Sequence, residues 1–298
     1  SNLCSEIQLP TDSYNSFVCC LGSINLLHWD DIIQTDAIGT YVFFLNAVMN
    51  EFIAKAEVKA GLKRAYTFAK KHRAIGLGVL GYHSLLQSKL IEFESMEAKS
   101  LNNQIFKHLK EESEVASRYL ANEKGYECIR KGYANTTLMA IAPTKSSSFI
   151  HGAVSMGIEP IKSNYFIKDL AKTKTIYKNP FLKEELKKYN LDNDETWESI
   201  LKKDGSVQHL DFPTKAVFKS FIEISPKEII IQAASRQKYI DQSQSLNLMI
   251  HPSVPAKDIN QLYLSAWELG VKTLYYQFSQ SSAQAFSRNI LECASCEG

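Results

Sequence analysis

The chain alternates two kinds of apolar stretch: short runs that are apolar at nearly every position, and longer ones that are apolar at every third or fourth. Val18 to Leu26 is the first short run and predicts a buried strand. Asp36 then opens a long helix on Ile38, Val42, Leu45, Met49, Phe52 and Ile53, the spacing of one helical face. Two further helical patterns run from about Gly81 to Ser88 and from about Ser95 to Glu123. Thr137 to Ile141 is a second short strand, closed by Pro143. Asn164 to about Lys215 is richer in Lys, Asn and Asp and reads as excursions outside the core. Ser225-Pro226-Lys227-Glu228 combines an N-cap serine, a proline at the first helical position and a glutamate at the third, predicting a helix to about Tyr239. A strand at Leu246 to Ile250, a helix from Pro255 or Ala256 and a strand at Thr273 to Tyr276 complete the alternation. From Ser279 onward the chain is Ser/Gln/Ala-rich and weakly periodic, so it reads as a mobile tail carrying Cys293 and Cys296. Strands alternating with helices predict an α/β fold with a largely parallel sheet.

Composition narrows the classes. The 298 residues carry 34 Lys+Arg against 32 Asp+Glu and are 45% hydrophobic, ordinary globular values that exclude collagen, coiled coil and disorder. A net charge of +2 makes no strong field, which argues against a nucleic-acid polymer or a membrane surface as partner. No apolar run is read as reaching the roughly 18 residues of a membrane helix, and no secretory signal is evident at Ser1 to Glu6. Cytoplasmic, reduced thiols are therefore the expectation. The six cysteines are too few for a disulfide scaffold, and their clustering at Cys4, Cys19-Cys20 and Cys293/Cys296 suits redox chemistry better. Cys293-x-x-Cys296 lacks the second ligand pair that zinc requires, so no metal site is assigned. Cys128 reads as a small semi-buried hydrophobe.

Four motifs carry candidate chemistry. Gly76-Leu77-Gly78-Val79-Leu80-Gly81 matches the dinucleotide fingerprint, but only Ala74 and Ile75 precede it where a full strand is required. A strand entering a close-packed helix explains these glycines without NAD, and the dehydrogenase reading is set aside. Pro143-Thr144-Lys145-Ser146-Ser147 follows a strand and could open a helix, offering hydroxyls, a lysine and free amides to a phosphate, or merely an N-cap. Asn2, Cys4 and Glu6 alternate, so in an extended loop an amide, a thiol and a carboxylate face one substrate. A carboxylate raises the pKa of a neighbouring thiol, which disfavours a thiolate nucleophile but not hydrogen-atom chemistry. Tyr275-Tyr276 ends a strand, where neighbours normally face opposite ways, although two adjacent phenols could relay an electron and a proton.

Together the motifs resemble the catalytic subunit of class I ribonucleotide reductase, in its C-terminal part. The resemblance covers Asn2-Leu3-Cys4-Ser5-Glu6, Val18-Cys19-Cys20-Leu21-Gly22-Ser23-Ile24-Asn25-Leu26, Ile75-Gly76-Leu77-Gly78-Val79, Ala142-Pro143-Thr144 with the following serines, Gly157-Ile158-Glu159-Pro160, Tyr239-Ile240-Asp241-Gln242-Ser243, and Lys272-Thr273-Leu274-Tyr275-Tyr276, ending at the terminal Cys pair. It implies the C-terminal half of a ten-stranded α/β barrel with a central finger loop over residues 1–278, plus a flexible redox tail over 279–298. It implies that Cys4 becomes a thiyl radical that removes the ribose 3′ hydrogen, that Glu6 takes the 3′-hydroxyl proton, and that Asn2 hydrogen-bonds the ribose. Cys19 would be half of the redox pair that reduces the substrate, with Cys20 a bystander. Cys293 and Cys296 would regenerate that pair and in turn be reduced by thioredoxin or glutaredoxin. Tyr275 and Tyr276 would pass the radical from a small subunit bearing a metal-based radical cofactor. The segments from Asn2 to Glu6 and from Pro143 to Ser147 would bind the nucleoside diphosphate substrate. The other half-barrel, the partner of Cys19 and the nucleotide effector sites would lie on a separate N-terminal fragment, as left by a split gene, intein cleavage or an expression fragment. A non-catalytic regulatory fragment is the alternative; the intact set of Cys4, Glu6, Cys19, Tyr275, Tyr276 and the tail pair argues against it.

Overall fold

Five extended segments lie side by side in chain order, all parallel, and helices carry the chain from each to the next. A computed structural model describes residues 1–170 and 173–279. Its first half contains β1 (Cys20–Asn25), α1 (Trp29–Ile32), α2 (Ala37–Glu57), α3 (Lys63–His72), β2 (Ile75–Leu80), α4 (Tyr82–Ser88) and α5 (Met96–Lys124). Then come α6 (Ser147–Ile150), a hairpin of β3 (Tyr165–Leu170) and β4 (Thr173–Lys178), α7 (Pro180–Lys188) and α8 (Asp194–Lys202). The last elements are α9 (Pro226–Gln237), β5 (Leu248–Met249), α10 (Ala256–Glu268) and β6 (Gln277–Phe278).

β1 pairs with β2 from Cys20 opposite Ile75 to Asn25 opposite Leu80. Segment 137–141 continues the sheet: the Leu77 amide donates to Leu138 at 2.7 Å and the Ala140 amide to Leu77 at 3.2 Å. Ile141 then bridges Gln244, and β5 pairs with β6. The order is that of an open half-barrel. The predicted strands at 18–26, 137–141, 246–250 and 273–276 are all present as extended chain, though the regular ladders are shorter.

The glycine triplet lies within and just after β2. A Cβ on Gly78 would stand 2.5 Å from the Ala140 carbonyl oxygen, and one on Gly76 2.9 Å from the Ala140 Cβ. Close strand packing, not a phosphate, therefore requires these glycines. Gly78→Ala is expected to destabilise the fold by about 3 kcal/mol, since backbone must move; urea unfolding measures it, and a change below about 0.5 kcal/mol would contradict the packing.

The main core lies between the sheet and its helices and includes Leu26, Val42, Leu45, Leu77, Val79, Phe106, Leu109 and Ile141. α5 starts and ends as its sequence predicts: Ser95 accepts from the Ala98 amide at 3.0 Å, and Gly125 closes the helix at φ 67°. Asp36 precedes α2 without a side-chain cap bond. Ser225 likewise makes no side-chain cap bond; its amide donates to Glu94 at 3.0 Å, and Glu228 pairs with Lys99 at 2.8 Å instead of closing a capping box. The capping box lies five residues earlier, where Glu223 accepts from the Ser220 amide at 2.7 Å.

Two expectations change. Ala37–Glu57 includes an 18-residue window of mean hydropathy 1.3, long and apolar enough to span a membrane by composition. In the fold it buries Ile38, Val42 and Leu45 in the main core and Met49 beside them, while Phe43, Phe44 and Val48 stay exposed, so packing among the described residues explains only one face of its apolarity. The segment read as excursions is ordered around a core of its own, with Leu182, Leu186, Trp197, Ile200, Phe212 and Phe218 buried together. Its lysines sit on the outer faces of short helices, which dilutes the apolar signal along the sequence.

Candidate active site

Residues 1–9 lie across the open face of the half-barrel. Ile7 and Leu9 pack with Phe68, Ala74 and Ala140, and with Cys19 at their edge. The segment is not extended at its tip. The Ser5 amide donates to the Asn2 carbonyl at 3.2 Å and Ser5 adopts φ 64°, so residues 2–5 form a tight turn with Leu3 exposed. This corrects the alternation argument for Asn2, Cys4 and Glu6. Asn2 turns back to accept from the Ile7 amide at 3.1 Å, while Cys4 and Glu6 are joined through a residue from elsewhere.

That residue is Ser245, whose hydroxyl lies 2.6 Å from the Cys4 carbonyl oxygen and 2.9 Å from Glu6 Oε2. The Ser243 amide also donates to the Glu6 carbonyl at 2.9 Å; the Ser5 hydroxyl donates to the Leu274 carbonyl at 3.3 Å and the Thr273 hydroxyl to the Ser5 carbonyl at 3.1 Å, which ties the turn to the last strand. Glu6 is buried. On the far side of Cys4, its thiol hydrogen-bonds the Tyr275 phenol, which is bonded in turn to Tyr276; together they raise the Tyr275 pKa above that of an ordinary phenol. The two rings stack with centroids 4.1 Å apart and planes 36° apart. Tyr275 and Tyr276 thus lie together rather than on opposite faces, because they precede the regular ladder of β6. Tyr276 is half exposed, so the row Cys4–Tyr275–Tyr276 runs from the interior to the surface.

Strand alternation separates the paired cysteines. Cys19 faces the segment carrying Ile7 and Glu6, whereas Cys20 packs into the main core. Burial pushes the Cys19 thiol up to about 12, partly opposed by a hydrogen bond from the Gln242 side-chain amide at 3.3 Å. Burial raises Cys20 as well. The Gln242 side-chain oxygen accepts from the Gln8 amide at 3.2 Å, so one glutamine holds both Cys19 and the loop of Cys4. Thiolate is what alkylates, and its fraction grows tenfold per pH unit below the pKa. Cys19 should therefore react on the order of 10³-fold more slowly than a free cysteine at pH 8, with log rate still rising past pH 9. A plateau at pH 9 in mass-mapped alkylation would refute this.

The Pro143–Ser147 loop leaves the sheet just after Ile141, whose carbonyl accepts from the Ser245 amide at 2.9 Å. It is therefore beside Cys4. Thr144 sits at φ 48° and its hydroxyl accepts from the Gly157 amide at 2.8 Å. The helix it opens, α6, is a single turn, and Ser146 makes no cap bond. Lys145, Ser146 and Ser147 are exposed, and Lys145 lies close enough to Lys162 to help lower its pKa, after desolvation. Two lysines and free hydroxyls can receive a phosphate here, whereas a helix dipole contributes little. Glu159, in the Gly157–Pro160 motif, is raised to about 7 by burial, and it bonds Asn247, which accepts from the Tyr276 amide at 2.8 Å.

Sequence reasoning did not single out Ser245, Thr273, Asn247 or the roles of Gln242 and Asp241. Asp241 caps the Leu138 and Met139 amides at 2.7 and 2.9 Å and so joins two strands. Cys293 and Cys296 lie outside the described residues.

The fold and site define a parallel half-barrel whose open face presents one thiol between a carboxylate and a tyrosine pair, with a second thiol behind it. The chain belongs to the family described as ribonucleotide reductase, barrel domain, whose pattern matches residues 1–130 and 126–277. It is 40% identical to the ribonucleoside-diphosphate reductase large subunit of Invertebrate iridescent virus 6, over 95% of this chain and 30% of that protein. It is 37% identical to the protein of the same name from Invertebrate iridescent virus 3, over 100% of this chain and 50% of that one. The Actinobacillus ureae class Id ribonucleotide reductase alpha subunit superposes with a TM-score of 0.90 at 54% identity, covering 95% of this chain and 54% of that chain. The chain thus spans about a third to a half of these relatives.

Proposed function

We propose that this chain supplies the reaction centre of a ribonucleoside-diphosphate reductase, which forms deoxyribonucleotides by thiyl-radical chemistry. The observation that carries the reading is the position of Cys4, bonded through its thiol to Tyr275 and through its carbonyl to the serine that holds Glu6. A radical reaching Tyr276 from a small subunit with a metal-based radical cofactor passes to Tyr275 and then oxidises Cys4. The Cys4 sulfur takes the 3′ hydrogen atom of the substrate ribose, Glu6 accepts the 3′-hydroxyl proton, and the Asn2 amide group is free to donate to the sugar. The 2′ hydroxyl leaves as water. Cys19 and a second thiol from the remainder of the subunit give the two electrons and the protons, closing as a disulfide. Its high pKa keeps Cys19 protonated until that step. Cys293 and Cys296, by thiol exchange, and then thioredoxin or glutaredoxin, return it to dithiol. Thr144 to Ser147 with Lys145 receive the diphosphate. Nucleotide effectors act on the rest of the subunit, and free Cys4, Cys19, Cys20 and Cys128 suit the reducing cytoplasm.

The test supplies this chain with the remaining part of the large subunit and the small subunit, and follows conversion of labelled CDP to dCDP by chromatography. Formation of dCDP that depends on this chain is expected. Its absence, with CDP binding intact, would leave a regulatory role instead.

A further inference from the structure

Ser245 has one hydroxyl proton and two oxygen neighbours that both call for it. The Cys4 carbonyl oxygen is 2.6 Å away and Glu6 Oε2 is 2.9 Å away. Ser245 and Glu6 are each only 2% exposed, so bulk water does not replace a lost bond. One O–H cannot serve both acceptors well, and the protonation state of Glu6 decides the matter. With Glu6 ionised, the hydroxyl donates to the carboxylate, since a charged acceptor makes the stronger bond. With Glu6 protonated at Oε2, the carboxyl O–H donates to Ser245 Oγ, and the serine proton turns to the Cys4 carbonyl. No bond to hydrogen breaks at Ser245; its hydroxyl only rotates.

We propose that Ser245 is a positioning residue that reports the protonation of Glu6 to the backbone of Cys4 by switching its one hydrogen bond between them. The inference rests on the reading of Cys4 and Glu6 given above. In that reaction Glu6 is protonated only while the substrate lacks its 3′ hydrogen. The turn bearing Cys4 is then held by Ser245 for the interval in which the sulfur must stay in place to return the hydrogen atom. Once Glu6 gives its proton back, the bond to the turn is released.

Facing groups are few. Cys4 and Tyr275 lie on one side of Glu6, and Cys19 with Asp241 beyond it on the other. Cys19 and Tyr275 ionise well above neutrality. Asp241, raised by burial, and Glu159, raised to about 7 and held on Asn247, are the neighbouring carboxyls able to mimic the titration; their bonds go to Leu138, Met139 and Asn247 rather than to Cys4.

The experiment titrates the intact chain labelled with ¹³C at cysteine carbonyls and glutamate side-chain carboxyls. The Cys4 carbonyl shift is expected to move with the same midpoint as the Glu6 carboxyl. In Glu6→Gln the Cys4 carbonyl should become insensitive to pH; persistence of the titration would assign it to Asp241 or Glu159 and overturn the proposal. In Ser245→Ala the hydroxyl that links the two groups is gone, and the Cys4 shift should no longer follow the Glu6 carboxyl. Ser245→Thr keeps the hydroxyl and should restore the coupling. A Cys4 carbonyl that ignores Glu6 in the wild-type chain, or follows it equally in Ser245→Ala, refutes the switch. None of these signals needs turnover: coupling without dCDP formation would sink the reductase reading alone, and dCDP formation without coupling would sink the switch alone.

Discussion

Cys4→Ser is expected to remove all ribonucleotide reduction while leaving fold and substrate affinity unchanged. Serine fits the same half-buried place and keeps the backbone bond to Ser245. It fails because an O–H bond is much stronger than an S–H bond, so a tyrosyl radical cannot be passed uphill to it. The loss should exceed about 10⁴-fold, the scale of removing a group that makes and breaks bonds in every turnover. It should be the same with dithiothreitol as with thioredoxin, because neither reductant supplies the radical. Measured dCDP formation within tenfold of wild type would place the hydrogen abstraction elsewhere and end the present assignment.

Tyr275→Phe should be nearly as severe, for a different reason. The phenyl ring can still stack on Tyr276, where the centroids are now 4.1 Å apart, so packing is kept. Only the hydroxyl is lost, and with it both hydrogen bonds that connect Cys4 to Tyr276. Phenylalanine has no proton to release on oxidation, and the row is broken at its middle. Turnover should fall by roughly 10³-fold or more, with CDP affinity within about twofold of wild type. Equilibrium binding with labelled nucleotide separates the two quantities. A variant that binds poorly but turns over normally at saturation would make Tyr275 a substrate contact instead.

Much of this site was legible because its residues are chemically rare in their settings. A thiol two residues from a carboxylate, adjacent cysteines opening a strand, and adjacent tyrosines closing one each lack a simple packing reason. Ser245 and Gln242 had no such mark. Serine and glutamine in a polar-looking stretch carry no sequence mark of burial; residues 2–8 cross over them, and Gln242 also donates to Ile75 and Thr137 of the neighbouring strands. The fold followed the same rule. Helices with one clear apolar face, such as α5, were placed to within a residue or two. β2 was obscured by the glycines that close packing demands, and α3 by lysines along its exposed side. At Ser225 the capping box is lost to tertiary partners, Glu94 for its amide and Lys99 for Glu228, whereas nothing in the structure explains the missing cap bond at Asp36.

The anchoring of the Cys4 turn has a consequence for how the molecule comes to exist. Its hydrogen bonds reach partners 241 and 269 positions further along the chain, at Ser245 and Leu274. Contacts of such separation are slow to form and come after local structure. During synthesis Cys4 is made 241 residues before the serine that holds it, so its cradle appears much later than the thiol itself. Helices and early strands can assemble around a thiol that is still unaligned with any tyrosine. The thiol proposed to carry the radical therefore meets Tyr275 only when the sheet is otherwise built, so an unfinished chain leaves it unconnected to the tyrosine pair.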